Sequence, residues 1–274
     1  MTKNKVVFIT GASSGIGEAL SYEYAKRGYD LFLCARRKEK LDAVTKQCLS
    51  LHSSVKVIPF IGDVTHKPDV DKIAFEIQQT FGRLDIVIAN AGFGVAGLFE
   101  KLNIDDYRRQ FETNIFGVLN TIYATLPLLK ESRGRLAIMG SVNSYVSFPI
   151  TSPYCMSKFA IRALADAIYW ELKPHGISVT LICPGVVESE IRKTDNQGTY
   201  RAEAKDPAPA WLMMKTDAAA RQMASAIDRR KKEKIITFHG KILVYIQRYM
   251  PFLLGWLLKT QLYQQLKKRP ISKS

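Results

Sequence analysis

Cysteine and histidine are scarce in this 274-residue chain. The four cysteines (Cys34, Cys48, Cys155, Cys183) are scattered and form no CxxC pair, which excludes a disulfide framework and a cysteine metal site. The four histidines (His52, His66, His175, His239) lack ligand spacing, so no metal is expected. No basic, apolar, small-residue leader opens the chain, and no repeat or linker divides the first 228 residues. The setting these absences imply is reducing and cytoplasmic, at most peripheral on a membrane surface. Acidic residues run short in one place only. From residue 229 onward twelve Lys or Arg face a single acid, Glu233, so the tail carries +11 of the formal +15 and the body is nearly balanced. Nucleic acid is not the expected partner: the tail has no reading module and too much apolar content for a phosphate-tracking arm.

What is present is globular. With 47% hydrophobic and 24% charged residues the chain can bury a core and is not a disordered polymer. Short β-branched runs at 5–10, 31–35, 55–61, 85–89, 135–141 and 178–183 read as buried strands, and 235–238 is a candidate seventh. Helical spacing marks 17–28, 68–81, 104–129 and 153–173. Such alternation predicts an α/β fold with a parallel sheet, right-handed crossovers and helices on both faces.

The first strand runs into Thr10-Gly11-Ala12-Ser13-Ser14-Gly15-Ile16-Gly17, after which a helix begins. Glycines at 11, 15 and 17 permit a tight turn, close approach to a pyrophosphate and helix–strand packing. The helix N-terminus offers N–H groups to the phosphates. Gly11, Ser13, Ser14, Gly15, Ile16 and Gly17 are therefore candidate cofactor contacts, with a plain tight turn as the duller use. The expected architecture becomes a Rossmann-type doubly wound sheet of about seven strands, in one dinucleotide-binding catalytic domain over 1–239. The second strand ends in Cys34-Ala35-Arg36-Arg37. Ala35 stands where an acid could take a ribose 2′-hydroxyl, and Arg36 can stack on adenine and pair with a 2′-phosphate, which favours NADP(H) over NAD(H). A solvated charge pair opening a helix is the competing reading.

Asn90-Ala91-Gly92 closes the fourth strand, Asn114 sits mid-helix, and Ser141 ends the fifth strand. Tyr154-Cys155-Met156-Ser157-Lys158 follows thirteen residues later, and Pro184-Gly185 ends the sixth strand. In this order, with the glycine turn, the chain resembles the short-chain dehydrogenase/reductase family over roughly residues 3–190. The resemblance implies that Tyr154 is the general acid/base and Lys158 its electrostatic partner and ribose ligand. Ser141 would orient the carbonyl and Asn114 would hold a proton-relay water. Asp63 and Val64 match adenine contacts, Asn90, Ala91 and Gly92 the cofactor loop, and Pro184, Gly185 and Val187 the nicotinamide wall. Ser189 replaces the family's frequent threonine after that wall, and Gly140 stands where a second serine is common. The family is usually a homodimer or homotetramer.

The residues support that chemistry directly. A phenol with its ordinary pKa of about 10 exchanges protons poorly near neutrality. Tyr154 and Lys158, four apart on one helix, share a face, and a nearby ammonium and an oxidised nicotinamide both favour the phenolate and lower its pKa. Ser141 can hydrogen-bond a carbonyl oxygen as negative charge grows there. Each residue also has a structural use, as core, solvated charge or turn cap. Cys155 reads as packing.

Phe93, Val95, Val146, Phe148, Ile150 and the loop around Trp211 are mostly apolar, which favours a lipophilic carbonyl substrate over a sugar; core packing is their competing use. The irregular stretch near 190–215, with Gly198, Pro207 and Pro209, has the length of a substrate lid. The extension 240–274 is basic and amphipathic. Its longest charge-free apolar run, 249–258, is ten residues, short of the roughly 20 a bilayer span needs. It suits either an anionic membrane interface or a subunit-interface helix. An apolar pocket with such a tail resembles the lipid- and steroid-handling branch of the family, including 3-ketodihydrosphingosine reductase. A non-catalytic NADP-binding scaffold that docks through the tail is the alternative function.

Overall fold

Runs such as Val6–Thr10 and Asp30–Ala35 are buried almost along their whole length, as strands covered on both faces must be. The computed structural model describes residues 4–204, 206–256 and 259. Its strands are β1 (Val6–Thr10), β2 (Asp30–Ala35), β3 (Val57–Ile61), β4 (Ile86–Ala89), β5 (Arg135–Met139), β6 (Ser178–Cys183) and β7 (Glu233–Ile235). They form one sheet in the order β3-β2-β1-β4-β5-β6-β7, every pair parallel. The helices are α1 (Gly15–Lys26), α2 (Lys38–Leu51), α3 (Lys67–Phe81), α4 (Ile104–Phe111), α5 (Gly117–Ser132), α6 (Ser152–Leu172), α7 (Thr216–Asp228) and α8 (Phe238–Tyr249). This is the doubly wound α/β fold the alternation predicts.

Two apolar layers flank the sheet. Phe8, Phe32, Ile73, Ile77, Leu129 and Ile161 fill the side covered by α3, α5 and α6. Val7, Ile9, Leu20, Leu41, Met223 and Ile227 fill the side covered by α1, α2 and α7. Phe8 and Phe32 meet edge to face at 6.0 Å, a geometry worth about 0.5–1.5 kcal/mol beyond buried area.

Most ends shift by one or two residues, and three differences from the sequence reading are of more consequence. The fifth strand stops at Met139, so Ser141 lies beyond it and caps a 3-10 turn, Val142–Ser144. The seventh strand falls at Glu233–Ile235, and Phe238 instead opens α8. The stretch 104–129 is two helices joined by a π turn, Glu112–Phe116, which holds Asn114. A π turn inserts one residue without disturbing the apolar pattern enough to show in the sequence.

The basic extension does not leave the domain at residue 240. Gly240 and Val244, on the inner face of α8, are buried, and Val244 and Leu254 join the first core layer. No described helix is long and apolar enough to cross a membrane. Leu257, Leu258, Leu262, Tyr263 and the basic run 267–269, part of the tail reading, lie outside the described residues.

Candidate active site

Strand order reverses between β1 and β4, and the crevice at their carboxyl ends is where open parallel sheets bind ligands. Gly11 has φ +66°, and a Cβ at Gly17 would lie 2.2 Å from the Gly11 carbonyl oxygen. The second strand–loop segment packs tightly against this turn. Asn90 Nδ2 donates to the Thr10 carbonyl at 2.9 Å, while Thr10 Oγ1 accepts from the Asn90 and Ala91 amides, both at 3.0 Å. Ser14 precedes α1 without giving it a side-chain cap, which leaves the first-turn amides of Gly15, Ile16 and Gly17 to an anion. The turn therefore fits a dinucleotide's phosphates.

The two arginines after β2 behave differently. Arg36 is 61% exposed and lies 3.5 Å from the Asp63 carboxylate. Asp63 also accepts from the Thr65 amide and hydroxyl, each at 2.9 Å. Val64 is buried, and its carbonyl accepts from Asn120 at 3.0 Å. Arg37 turns back over the glycine turn, donating to Ser14 Oγ at 2.6 Å and Ser13 Oγ at 3.3 Å. It also donates to Glu190 at 2.7 Å, and Lys40 donates to the same carboxylate. Sequence reasoning did not single out Lys40 or Glu190. Nothing periodic connects residues 150 positions apart.

Tyr154 and Lys158 share a face of α6, with Lys158 Nζ 5.6 Å from the phenol ring centre. Lys158 is 6% exposed and donates to the Met139 carbonyl at 2.7 Å; burial pulls its pKa down to about 8. The half-buried Tyr154 is pushed up to about 12 by burial, with Ser141's hydrogen bond and the charge of Arg192 opposing. Among this chain's own groups, burial is the largest influence on the phenol. The Lys158 ammonium is directed to the Met139 carbonyl, and desolvation disfavours the charged phenolate.

Ser141 is held in place from several sides. Its Oγ accepts from the Asn143 amide at 3.1 Å and lies 3.5 Å from the Pro184 carbonyl. A Cβ at Gly140 would crowd Leu181, Cys183 and Ser144 at 3.0–3.1 Å, which favours glycine here. Tyr145, just past the turn, donates to Glu233 and stacks under Arg162 at 4.0 Å. Cys155 is buried against Asn143 and Thr151, each 3.2 Å from its Sγ, consistent with packing.

Asn114 uses its side chain as a clamp. Oδ1 accepts from the Phe93 amide at 3.1 Å, and Nδ2 donates to the Phe93 carbonyl at 3.1 Å and Ser157 Oγ at 3.2 Å. Gln110, unnoticed in the sequence, does the same for Val95 N–H at 2.6 Å and the Phe93 carbonyl at 2.8 Å. Gly92 sits against Asn114, where a Cβ would approach Oδ1 to 3.0 Å. The loop carrying Phe93 is thus fixed from below by two amides.

The segment from Pro184 to Val187 forms one wall. The Pro184 carbonyl accepts from Val142 N–H at 2.9 Å, and Val186 N–H donates to His239 Nε2 at 3.1 Å. Burial depresses His239, which keeps it the neutral acceptor this bond requires. A Cβ at Gly185 would strike Thr237 Oγ1 at 2.1 Å. Val187 is buried, its carbonyl accepting two bonds from Arg192 at 3.1 Å. Ser189 lies over the glycine turn, with its Cβ 3.3 Å from where a Gly15 Cβ would stand. His239, set aside because it lacked ligand spacing, and Arg192 are both positioning residues that sequence reasoning missed.

The substrate candidates divide. Phe93 and Phe148 are half-buried at the site's loops. Val95 and Val146 are fully enclosed, and Val146 packs in the first core layer, so its role here is packing rather than pocket lining. Ile150 is exposed with φ +63°, and Trp211 is 84% exposed.

The family model for short chain dehydrogenase matches residues 5–199. Over 259 residues the chain is 32% identical to Dehydrogenase/reductase SDR family member 7 of Homo sapiens, covering 92% of this chain and 76% of that protein. It is 39% identical over 188 residues to 11-beta-hydroxysteroid dehydrogenase A of Sesamum indicum, covering 68% of this chain and 53% of that protein. The chain thus spans about half the length of that plant relative. Among solved structures it is similar to an alcohol dehydrogenase from the archaeon Thermococcus sibiricus complexed with 5-hydroxy-NADP. That match has a TM-score of 0.75 and 28% identity over 86% of this chain and 97% of the other. Levodione reductase shares the fold, with a TM-score of 0.78 at 21% identity over 89% and 99% of the two chains.

Proposed function

Because the chain belongs to the short-chain dehydrogenase family, nicotinamide-dinucleotide oxidoreductases acting on CH–OH groups, we propose that it is an NADP(H)-dependent enzyme for a lipophilic ketone and its secondary alcohol. The observation that carries the reading is that Ser141, Tyr154 and Lys158 come together past the carboxyl end of β5, two strands along the same sheet edge from the glycine turn after β1. When bound, the cofactor supplies or accepts a hydride. The Ser141 hydroxyl donates to the substrate oxygen, where charge accumulates during reduction. Tyr154 delivers its proton to that oxygen in reduction and recovers it in oxidation. Lys158, charged below about pH 8, holds a positive centre 5.6 Å from the phenol ring and would bind the ribose of a bound nucleotide. Arg36 and Arg37 favour the 2′-phosphate form, and a solved relative was crystallised with an NADP derivative.

Two observations support a lipophilic substrate met at a lipid surface. The first is that several relatives are named 11-beta-hydroxysteroid dehydrogenases. The second is α8, whose outer face carries Phe238, Ile242, Tyr245 and Tyr249 at helical spacing, all exposed, opposite the buried Gly240 and Val244. Lys241 and Arg248 flank this stripe, and the sequence beyond it is basic, which suits anionic headgroups. Exposed Phe116 at the end of the π turn, Tyr123 on α5, and Phe159 and Trp170 on α6 support a homodimer or homotetramer through that side, with sedimentation velocity as the check.

The deciding experiment follows NADPH oxidation across lipid, steroid and sugar carbonyls for wild type and Tyr154→Phe. Turnover of long-chain or polycyclic ketones, lowered about 10²–10⁴-fold by the substitution with nucleotide binding kept, is the expected result. Preference for sugars overturns the substrate class, and turnover indifferent to Tyr154 overturns the mechanism. Phe238→Ser with Tyr245→Ser should abolish co-sedimentation with anionic vesicles; unchanged pelleting overturns the membrane reading.

A further inference from the structure

Glu190 is an acid seated among cations where the nucleotide's own anion is expected. Its carboxylate accepts from Arg37 at 2.7 Å and from Lys40. Arg37 is simultaneously tied to Ser13 and Ser14 of the glycine turn, so its guanidinium stands at the mouth of the phosphate cradle. Two further contacts bring the same loop onto the basic pair. Lys40 Nζ lies 4.8 Å from the Tyr200 ring centre, and a Cβ at Gly198 would come within 3.7 Å of the Arg36 guanidinium. Ser189 meets Gly15 from the other side.

We propose that Glu190 is a resident competitor for the cofactor's 2′-phosphate, setting the preference between the two dinucleotides and coupling phosphate arrival to the segment 190–200. The inference rests on the NADP(H) reading above. A carboxylate and a phosphate make the same charge-assisted bonds to a guanidinium and an ammonium, and two anions do not share one such cluster at contact distance. A nucleotide carrying the 2′-phosphate must displace Glu190 from Arg37 and Lys40. One with a free 2′-hydroxyl leaves the carboxylate in place. Displacement acts on the loop because Glu190 opens the 3-10 turn Glu190–Lys193, whose Arg192 holds the Val187 carbonyl and the Asp206 carboxylate.

The test uses the full chain, with NADPH and NADH dissociation constants from nucleotide fluorescence for wild type, Glu190→Gln and Glu190→Ala, and hydrogen exchange across 190–200. The Glu190 side chain is partly exposed, so its removal should tighten NADPH by about three- to tenfold and move NADH by less than about twofold. In wild type, NADPH but not NADH should speed exchange in 190–200. Both variants should agree, since each removes the charge and only one leaves an amide. Wild type that prefers NADPH while both variants keep the same NADPH-to-NADH ratio overturns the role of Glu190 and spares the cofactor reading. Wild type that binds both nucleotides equally, with Arg37→Ala weakening them alike, overturns both.

Discussion

Replacing Lys158 with methionine should flatten part of the protein's alkaline stability profile. Burial brings this ammonium down to about 8 from its ordinary 10.5. Between those values the unfolded chain binds a proton that the folded chain lacks, so stability must rise with pH across the window. Below about pH 8 both states are charged and the desolvation cost is fully felt; above 10.5 both are neutral and it is gone. The gap corresponds to about 3 kcal/mol at 1.36 kcal/mol per pH unit. Other buried groups act in the opposite sense. Tyr154 and Cys183 are raised by burial, so the unfolded chain releases their protons first and stability falls above their ordinary values of 10 and 9. The comparison must therefore be between proteins. Urea unfolding at intervals from pH 7 to 10.5 should show wild type gaining about 3 kcal/mol relative to Lys158→Met, which retains every opposing group. Parallel curves would refute the claim that a desolvated, titrating ammonium lies behind the Tyr154 phenol.

Gly17→Ala should cost at least about 1–3 kcal/mol and abolish nucleotide binding, because the new methyl meets the Gly11 carbonyl at 2.2 Å; an unchanged melt with intact NADPH binding contradicts this. Arg192→Gln removes a positive charge that lowers the Tyr154 pKa, so the alkaline rise of alcohol oxidation should move to higher pH, and a stationary profile argues against that influence. His239→Leu strands the Val186 N–H at a cost of about 1–3 kcal/mol and should raise the cofactor KM more than it lowers kcat. Since His239 is depressed, the unfolded chain protonates first as pH falls through 6.5; wild type should lose stability there that the leucine variant does not, as read by thermal melts.

How much was legible in the sequence depends on whether the information is local. Ser178–Cys183 reads as a strand because six successive residues must be dry on both faces, and the structure begins and ends it at those residues. Tyr154 and Lys158 share a face by helical arithmetic alone. Asn114 was legible as a motif residue, yet its placement in a π turn was not, since one inserted residue hardly alters the apolar period around it. Val146 looked like pocket lining because apolarity does not say which way a side chain points. The Arg37–Glu190 pair spans 153 positions, and only the sheet's strand order, which brings the ends of β2 and β6 to one rim, places them together.

The root of α8 is wedged against the Pro184–Val187 segment and Val142. Gly240 fits between Thr237 and Val142 with no room for a methyl, its Cβ position lying 2.7 Å from each, and His239 reaches Val186. The helix is therefore less an appendage than a keel. Whatever plane its aromatic side rests on would fix the tilt of the whole domain. Search by a hydrophobic molecule would then run in two dimensions instead of three.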